Sequence, residues 1–172
     1  AFINEGNIVS LNSFSKILAP GLRLGWIQTD PQRIDRLANS GLLDSGGGLN
    51  PFTSAIVRGV LENGDLQANI RELRQVYAGR IQVMDAAVRK YLPSAGYRTP
   101  QGGFFFWLRL PDGQDAETLL KIAHERYKVV FNPGVRFSSR SGLRDYLRVC
   151  FAFYDAAELE QGILRISQAL DA

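Results

Sequence analysis

The segment Ser13-Phe-Ser-Lys-Ile-Leu-Ala-Pro-Gly-Leu-Arg-Leu-Gly-Trp26 decides how this 172-residue chain is interpreted. It places the hydroxyls of Ser13 and Ser15 and the amine of Lys16 in a loop with proline and glycine. The guanidinium of Arg23 follows seven residues after the lysine. Serine hydroxyls, loop amides and an arginine fork are donors that suit a phosphate dianion. The lysine suits either a point charge on that phosphate or an amine nucleophile that forms a Schiff base with a carbonyl.

Residue types and spacing alone leave a second interpretation of this segment open, a surface loop whose serines form turns and whose lysine is solvated. The segment lacks the Gly-x-x-x-x-Gly-Lys-Ser/Thr pattern of ATP-binding loops, which argues against that class of site. Lysine is rare in this chain, but its rarity alone does not decide between these interpretations. Only four of the 20 basic residues are lysines, and Lys16 is the only lysine in the first 89 residues. Arginine, which supplies the other basic residues, does not form Schiff bases.

The composition is that of an ordinary globular protein. Apolar residues make up 45% of the chain and charged residues 22%, which excludes disordered, collagen-like and coiled-coil proteins. No apolar run reaches the roughly 18 residues of a membrane helix, so we expect no membrane partner. The net charge is +3 and the arginines form no basic run, so we expect no nucleic-acid binding by this portion. The single cysteine cannot form an internal disulfide. One cysteine and one histidine also make a poor metal site, so we expect no metal.

Hydrophobic periodicity and turn residues predict helices that alternate with short strands. Asp30-Pro31 and Asn50-Pro51 each pair a capping residue with a proline at the first helical position, and Asp155 with Glu158 resembles a capping box. The predicted strands are 7–12, 22–27, 104–110, 129–131 and 146–153, and the predicted helices are 31–43, 51–63, 65–92, 115–127 and 155–170. A glycine run at 46–48 predicts a flexible break. This mixture predicts an α/β or α+β fold, with a boundary near residue 75.

A second candidate site residue, Arg148, lies in the segment Asp145-Tyr-Leu-Arg-Val-Cys-Phe151, which is typical of a strand. Alternation along a strand puts Arg148 on the face of Cys150 and away from Leu147. An arginine in an apolar strand is costly unless an anion partners it, and a bidentate carboxylate would satisfy it. Two alternatives stay open from the residues alone, an internal aspartate or glutamate partner and a strand at a solvated sheet edge.

The Ser13–Trp26 segment resembles the cofactor-lysine motif of the class I/II aminotransferases, the fold-type-I enzymes that use pyridoxal 5′-phosphate. It is most similar to the group that contains the 2-aminoadipate and kynurenine aminotransferases and the aminotransferase-like domains of MocR regulators. The resemblance implies that Lys16 is the catalytic residue and binds the cofactor covalently. It also implies that Ser13, Ser15 and Arg23 bind the cofactor phosphate.

Other segments resemble the same family. Arg148 lies in a segment similar to the family's C-terminal Leu-Arg strand, which implies that it binds the substrate α-carboxylate. Gly102–Trp107 resembles the Gly-Gly/Met-aromatic strand of the small domain, whose aromatic residues we expect to be mainly core. Asn132–Gly134 resembles the Pro-Gly loop that precedes the C-terminal arginine. Asn50-Pro51 lies where relatives contribute a loop toward the partner subunit's cofactor phosphate.

The resemblance implies an α/β fold-type-I fragment, with the end of the large pyridoxal-phosphate-binding domain at 1–75 and the small C-terminal α+β domain at 76–172. It covers nearly the whole chain but only the C-terminal portion of a family member. In relatives the N-terminal portion supplies an aspartate for the pyridinium nitrogen, a ring-stacking aromatic residue, an asparagine and a tyrosine. We therefore expect this portion alone to bind cofactor weakly and to transaminate poorly.

The implied activity is transfer of an amino group between an amino acid and a 2-oxo acid by a cytoplasmic homodimer. One alternative is an effector-sensing domain of a MocR/GntR-type transcriptional regulator, which would bind without turnover. Another is a different reaction on the same scaffold, such as β-elimination or decarboxylation. We expect His124 to be a structural or surface residue and Cys150 to be a buried, inert thiol.

Overall fold

The computed structural model describes residues 8–44, 50–111 and 113–172. The chain divides into two compact units, residues 1–73 and 74–172, and the division falls within its longest helix. The glycine run at 46–48 lies outside the described residues. Among the described helices, none combines the length and the hydropathy that crossing a membrane requires.

The first unit contains a two-stranded antiparallel sheet and several helices. Its elements are β1 (Ser10–Ser13), β2 (Gly25–Gln28), α1 (Pro31–Ala38), α2 (Gly41–Asp44), α3 (Pro51–Glu62) and the first part of α4 (Asp65–Tyr91). β1 pairs with β2 so that Ser13 lies opposite Gly25. The chain between these strands forms two 3-10 turns, Phe14–Lys16 and Pro20–Leu22. Phe14 is buried in a small core with Val57 and Leu66, so the loop that carries Lys16 is anchored by a hydrophobic contact.

The second unit is a four-stranded antiparallel sheet with helices packed against it. Its elements are the rest of α4, β3 (Gly96–Tyr97), β4 (Phe105–Arg109), α5 (Ala116–Tyr127), β5 (Asn132–Pro133), a 3-10 turn (Gly134–Phe137), β6 (Tyr146–Cys150) and α6 (Ala156–Leu170). The strand order is β3-β4-β6-β5. One face of the sheet, including Phe106 and Leu147, forms the core with Met84, Ala123 and Ile163 from the three helices. All five of these side chains are almost fully buried.

The register of the sheet determines which side chains lie on its other face. Trp107 lies opposite Arg148 and Phe105 lies opposite Cys150, so these four side chains share the face that points away from the core. Phe105 is 38% exposed, whereas Phe106 is fully buried. The prediction that the aromatic residues of this strand are mainly core is therefore wrong for Phe105, because alternation turns it to the opposite face.

Local sequence accounts for the helix starts. The carboxylate of Asp30 accepts a hydrogen bond from the backbone N–H of Arg33 (3.1 Å), and the side chain of Asn50 accepts one from the N–H of Thr53 (3.2 Å). The capping box predicted at the start of α6 is present in full. α1 is shorter than predicted and ends at Ala38, because Asn39-Ser40-Gly41 are poor helix formers.

Several strand predictions were wrong at their boundaries. Residues 129–131 form no strand, and β5 lies at Asn132–Pro133 instead, because Lys128 ends α5 in the left-handed region (φ 55°) and delays the approach to the sheet. β2 begins at Gly25, because a 3-10 turn and a left-handed Arg23 (φ 49°) occupy the preceding positions. β1 begins at Ser10, with residue 7 outside the described part, and β6 ends at Cys150.

A polar cluster ties α4 to the chain that follows it. The carboxylate of Asp85 accepts hydrogen bonds from Arg89 Nε (2.8 Å), the Tyr97 hydroxyl (2.9 Å) and the Thr99 hydroxyl (2.5 Å). These hydrogen bonds, that of Arg89 above all, hold the pKa of Asp85 below its usual value. Burial and the hydrogen bond to Asp85 raise the pKa of Tyr97. The cluster thus stabilises the second unit while Asp85 is charged.

Candidate functional site

The predicted phosphate ligands lie in one hydrogen-bonded cluster of the first unit. Ser13 ends β1 and is the N-cap of the 3-10 turn Phe14–Lys16. Its hydroxyl oxygen accepts a hydrogen bond from the N–H of Ser15 (3.1 Å). Nη1 of Arg23 donates to the Ser15 hydroxyl (3.5 Å) and to the Pro20 carbonyl (3.3 Å). Arg23 reaches these partners from a left-handed backbone conformation, which is uncommon for a residue with a Cβ.

Lys16 is exposed at the end of this turn. Among the described residues, no side chain or carbonyl pairs with its ammonium group. The backbone beside it is held from a distance, since Nδ2 of Asn69 on α4 donates to the carbonyl of Ile17 (2.7 Å). Sequence analysis missed Asn69, because a single polar residue on a long helix carries no signal that it reaches residue 17.

The donor set of this cluster fits a phosphate group. The two serine hydroxyls and the Arg23 guanidinium offer O–H and N–H donors, and Lys16 adds a second positive charge. Within the described part of the chain, no carboxylate pairs with any of these four side chains. The cluster therefore keeps its positive charge, which a bound dianion would offset.

The predicted carboxylate ligand, Arg148, lies in the second unit on β6. Its guanidinium carbon lies 4.0 Å from the ring centre of Phe105 and 4.2 Å from that of Phe137. Nε of Arg148 is buried and has no hydrogen-bond partner, and no aspartate or glutamate of the described residues pairs with the guanidinium. The alternative of an internal acidic partner is therefore wrong for the described part of the chain.

Arg148 lines a cleft of about 1080 Å³ in the second unit. Cationic side chains outnumber acidic ones in its lining. The cationic residues are Lys121, Lys128, Arg136, Arg148 and Arg165, and the acidic residues are Glu125 and Glu158. Arg136 donates to the side-chain oxygen of Asn132 (3.5 Å), and Asn132 lies opposite Arg148 in the sheet. The excess of positive charge favours an anionic ligand beside Arg148.

The two remaining candidates have minor roles in the structure. His124 is exposed on α5, as expected of a surface histidine. Cys150 is exposed, so the prediction of a buried thiol is wrong; it ends β6 on the face opposite the core. In the described part of the chain, no three histidine, cysteine or acidic side chains are grouped as a metal site.

Comparisons with known proteins identify the family of this chain. The family described as aminotransferase class I and II matches residues 1–166. The chain is 30% identical to aromatic-amino-acid aminotransferase 1 of Thermococcus litoralis over 99% of its own length and 40% of that protein. It is 31% identical to 2-aminoadipate transaminase of Thermus thermophilus over 95% of its own length and 41% of that protein. An HTH-type transcriptional regulator of Escherichia coli, YjiR, is 30% identical over 96% of the chain and 35% of the regulator.

Solved structures show the same relationship. The kynurenine aminotransferase of Pyrococcus horikoshii, solved with PMP, matches with a TM-score of 0.87 and 31% identity over 98% of the chain and 41% of that enzyme. LysN of Thermus thermophilus, solved as its complex with N-(5′-phosphopyridoxyl)-L-leucine, matches with a TM-score of 0.84. The two chains are 30% identical over 96% of this chain and 42% of that enzyme. The chain thus spans about two-fifths of the length of these relatives. It belongs to the class I and II aminotransferases, a family of pyridoxal-phosphate enzymes, and has the mixed α/β fold of their fold-type-I structures.

Proposed function

We propose that this chain forms part of a transaminase that moves an amino group between an amino acid and a 2-oxo acid with pyridoxal 5′-phosphate. The observation that carries the proposal is Lys16, which has no partner among the described residues and lies beside the hydrogen-bonded side chains of Ser13, Ser15 and Arg23. When bound, the cofactor supplies an aldehyde for amine attack and a ring that stabilises negative charge on the substrate carbon.

Each site residue of this chain then has a defined task. Ser13, Ser15 and Arg23 bind the phosphate and hold the cofactor at one end. Lys16 anchors the cofactor through Nζ and, once the substrate amine has replaced it, accepts the proton of the substrate α-carbon at the same atom. Arg148 binds the α-carboxylate through its terminal amino groups and so orients the amino acid.

The remaining parts of the proposal rest on the resemblance to the family. We assign residues 1–75 to the large domain and 76–172 to the small one, and the division of the structure between residues 73 and 74 supports this assignment. A homodimer is proposed because relatives build each site from both subunits. We also propose a cytoplasmic location and, from the scattered arginines and the lack of a long apolar run, no nucleic-acid or membrane partner for this portion.

The first test uses the full-length protein titrated with pyridoxal 5′-phosphate. We expect a visible absorbance band from the lysine-bound cofactor and expect both Lys16→Ala and Lys16→Arg to lack it. Lys16→Arg is the sharper variant, because it keeps the positive charge and removes only the primary amine. Lys90→Ala, which alters an exposed lysine paired with Glu160, serves as the control. A band and a transamination rate that survive both Lys16 variants would overturn the assignment.

The second test concerns Arg148. We expect Arg148→Lys to raise KM for the amino acid and to leave the affinity for cofactor unchanged, because a lysine cannot make the bidentate contact. Equal losses of both affinities would show that Arg148 has a structural role instead.

A regulator is the second candidate function, because an HTH-type transcriptional regulator is also 30% identical to this chain, although the match covers less of that protein than the aminotransferase matches do. Such a protein would bind the cofactor through the same Lys16 cluster without turnover. Transfer of an amino group from amino acids to 2-oxo acids by the full-length protein supports the transaminase. Cofactor binding with no transfer to any 2-oxo acid, together with a winged-helix segment encoded upstream, supports the regulator.

A further inference from the structure

The environment of Arg148 contains a feature that its role as a carboxylate ligand does not by itself require. Two aromatic rings lie close to its guanidinium, that of Phe105 at 4.0 Å and that of Phe137 at 4.2 Å from the central carbon. The rings come from different segments, since Phe105 lies on β4 and Phe137 ends the 3-10 turn after β5. Rings at this distance attract a cation through the quadrupole of the π system.

Each of the two rings packs against a further aromatic residue. Phe137 packs edge-on against Trp107 (5.7 Å between ring centres), and Trp107 in turn stacks on Tyr146 (5.5 Å). Phe105 packs edge-on against Phe104 (6.4 Å). Phe105 and Phe137 nevertheless remain 38% and 44% exposed, so neither belongs to the core of the unit.

The contacts leave only part of the guanidinium available. In the described part of the chain, Nε of Arg148 is buried and has no hydrogen-bond partner. The terminal Nη1 and Nη2 atoms have no partner there either, but they are not fully buried. A planar guanidinium held by neighbouring rings presents its terminal N–H groups in a restricted set of directions. A carboxylate that approaches these groups meets donors that are already oriented, so less side-chain freedom is lost on binding.

We propose that Phe105 and Phe137 are positioning residues that hold the Arg148 guanidinium for the substrate carboxylate. This inference rests on the proposed function, in which Arg148 binds that carboxylate. The two rings act through Arg148 and do not replace it: they determine how tightly a carboxylate is bound and leave the chemistry at Lys16 unchanged. Their effect appears in KM and in carboxylate affinity, not in kcat.

The test uses the full-length holoenzyme with acetate as the probe. The dissociation constant of acetate is measured from the broadening of its methyl resonance by NMR, and KM and kcat are measured for the amino-acid substrate. The variants are Phe105→Leu, Phe137→Leu, Phe137→Tyr and Arg148→Lys. Phe153→Leu is the matched control, because Phe153 is 81% exposed and packs against Tyr154 in the same unit.

We expect each leucine variant to weaken acetate binding about three- to tenfold, the range expected when one flexible side chain must be ordered on binding. KM should rise by the same factor while kcat stays within about twofold of wild type. Phe137→Tyr should restore wild-type binding, because it keeps the ring, and Phe153→Leu should bind acetate like wild type.

Two results overturn the inference. If both leucine variants bind acetate like wild type while Arg148→Lys does not, the rings do not position the guanidinium. If Phe137→Tyr loses binding as Phe137→Leu does, an aromatic ring at this position does not position the guanidinium. A different result overturns the proposed function itself: acetate that binds Arg148→Lys as tightly as wild type shows that Arg148 is not the carboxylate ligand.

Discussion

A single added methyl group at Gly25 tests whether the β1–β2 pairing controls the phosphate cluster. Gly25 starts β2 and lies directly opposite Ser13, the last residue of β1. A Cβ built at Gly25 would lie 2.5 Å from the backbone carbonyl oxygen of Asn12. Because that oxygen belongs to the backbone, the methyl group can be accommodated only if the two strands move apart.

The size of the effect follows from this contact. The gap of 2.5 Å is about 1 Å short of ordinary van der Waals contact, which begins near 3.4 Å. The required movement strains the adjacent hydrogen bond from the N–H of Phe14 to the carbonyl of Leu24 (3.0 Å). Overpacking of this kind costs about 1–3 kcal/mol. If about 1.4 kcal/mol of this cost must be met for the cluster to adopt the geometry that binds the phosphate, cofactor affinity falls about tenfold.

The assay is a titration of full-length apoprotein with pyridoxal 5′-phosphate, followed by the visible absorbance of the bound cofactor. Gly21→Ala is the matched control, because a Cβ at Gly21 would have no heavy atom within 4 Å. We expect a larger dissociation constant for the cofactor in Gly25→Ala and an unchanged one in Gly21→Ala. Equal affinities for Gly25→Ala and wild type would refute the link between strand pairing and cofactor binding.

Three further predictions concern stability. Asp85→Ala should lower the free energy of unfolding in urea by about 1–3 kcal/mol at pH 7, because it removes the carboxylate that accepts hydrogen bonds from three side chains. The lowered pKa of Asp85 stabilises the fold fully only above the ordinary aspartate pKa of about 3.9. The difference in unfolding free energy between Asp85→Ala and wild type should therefore shrink as the pH falls below that value. A difference that does not depend on pH would contradict the role of this charge. Phe106→Ala should lower the free energy of unfolding by about 3–5 kcal/mol in the same assay, because the ring is fully buried. Phe153→Ala, on the surface, should lower it by under about 0.5 kcal/mol. Similar losses of stability in both variants would contradict the observed core. Asn69→Ala should cost about 1 kcal/mol and speed hydrogen exchange around Ile17, whose carbonyl loses its donor; unchanged exchange there would show that Asn69 does not hold this loop.

Helices were predicted well because their signals are local. The cap at Asn50, the capping box at Asp155 and the apolar stripe of α4 each involve residues a few positions apart, and all three helices begin within a residue of the predicted position. The strands were predicted in kind but not in extent. Val130 is 66% exposed although its segment is β-branched, because pairing with β6 begins only at Asn132.

The candidate site shows the same division. Ser13, Ser15, Lys16 and Arg23 were identified from one short segment, since residues that share a loop carry their spacing in the sequence. The surroundings of Arg148 were not predictable in this way. Its neighbouring rings come from positions 43 and 11 residues earlier, and the register of β4 and the turn after β5 bring them together.

The sequence by itself determined the family, the candidate lysine with its phosphate donors, and the positions of the long helices, because each depends on residues that are neighbours along the chain. Only the tertiary structure decided that Asn69 holds the backbone next to Lys16, that Cys150 is exposed, and that Arg148 lies close to two aromatic rings without an acidic partner in the described part of the chain. These features depend on strand register and on contacts between distant segments. Packing of the whole unit sets both, and neither has a signature in the local order of residues.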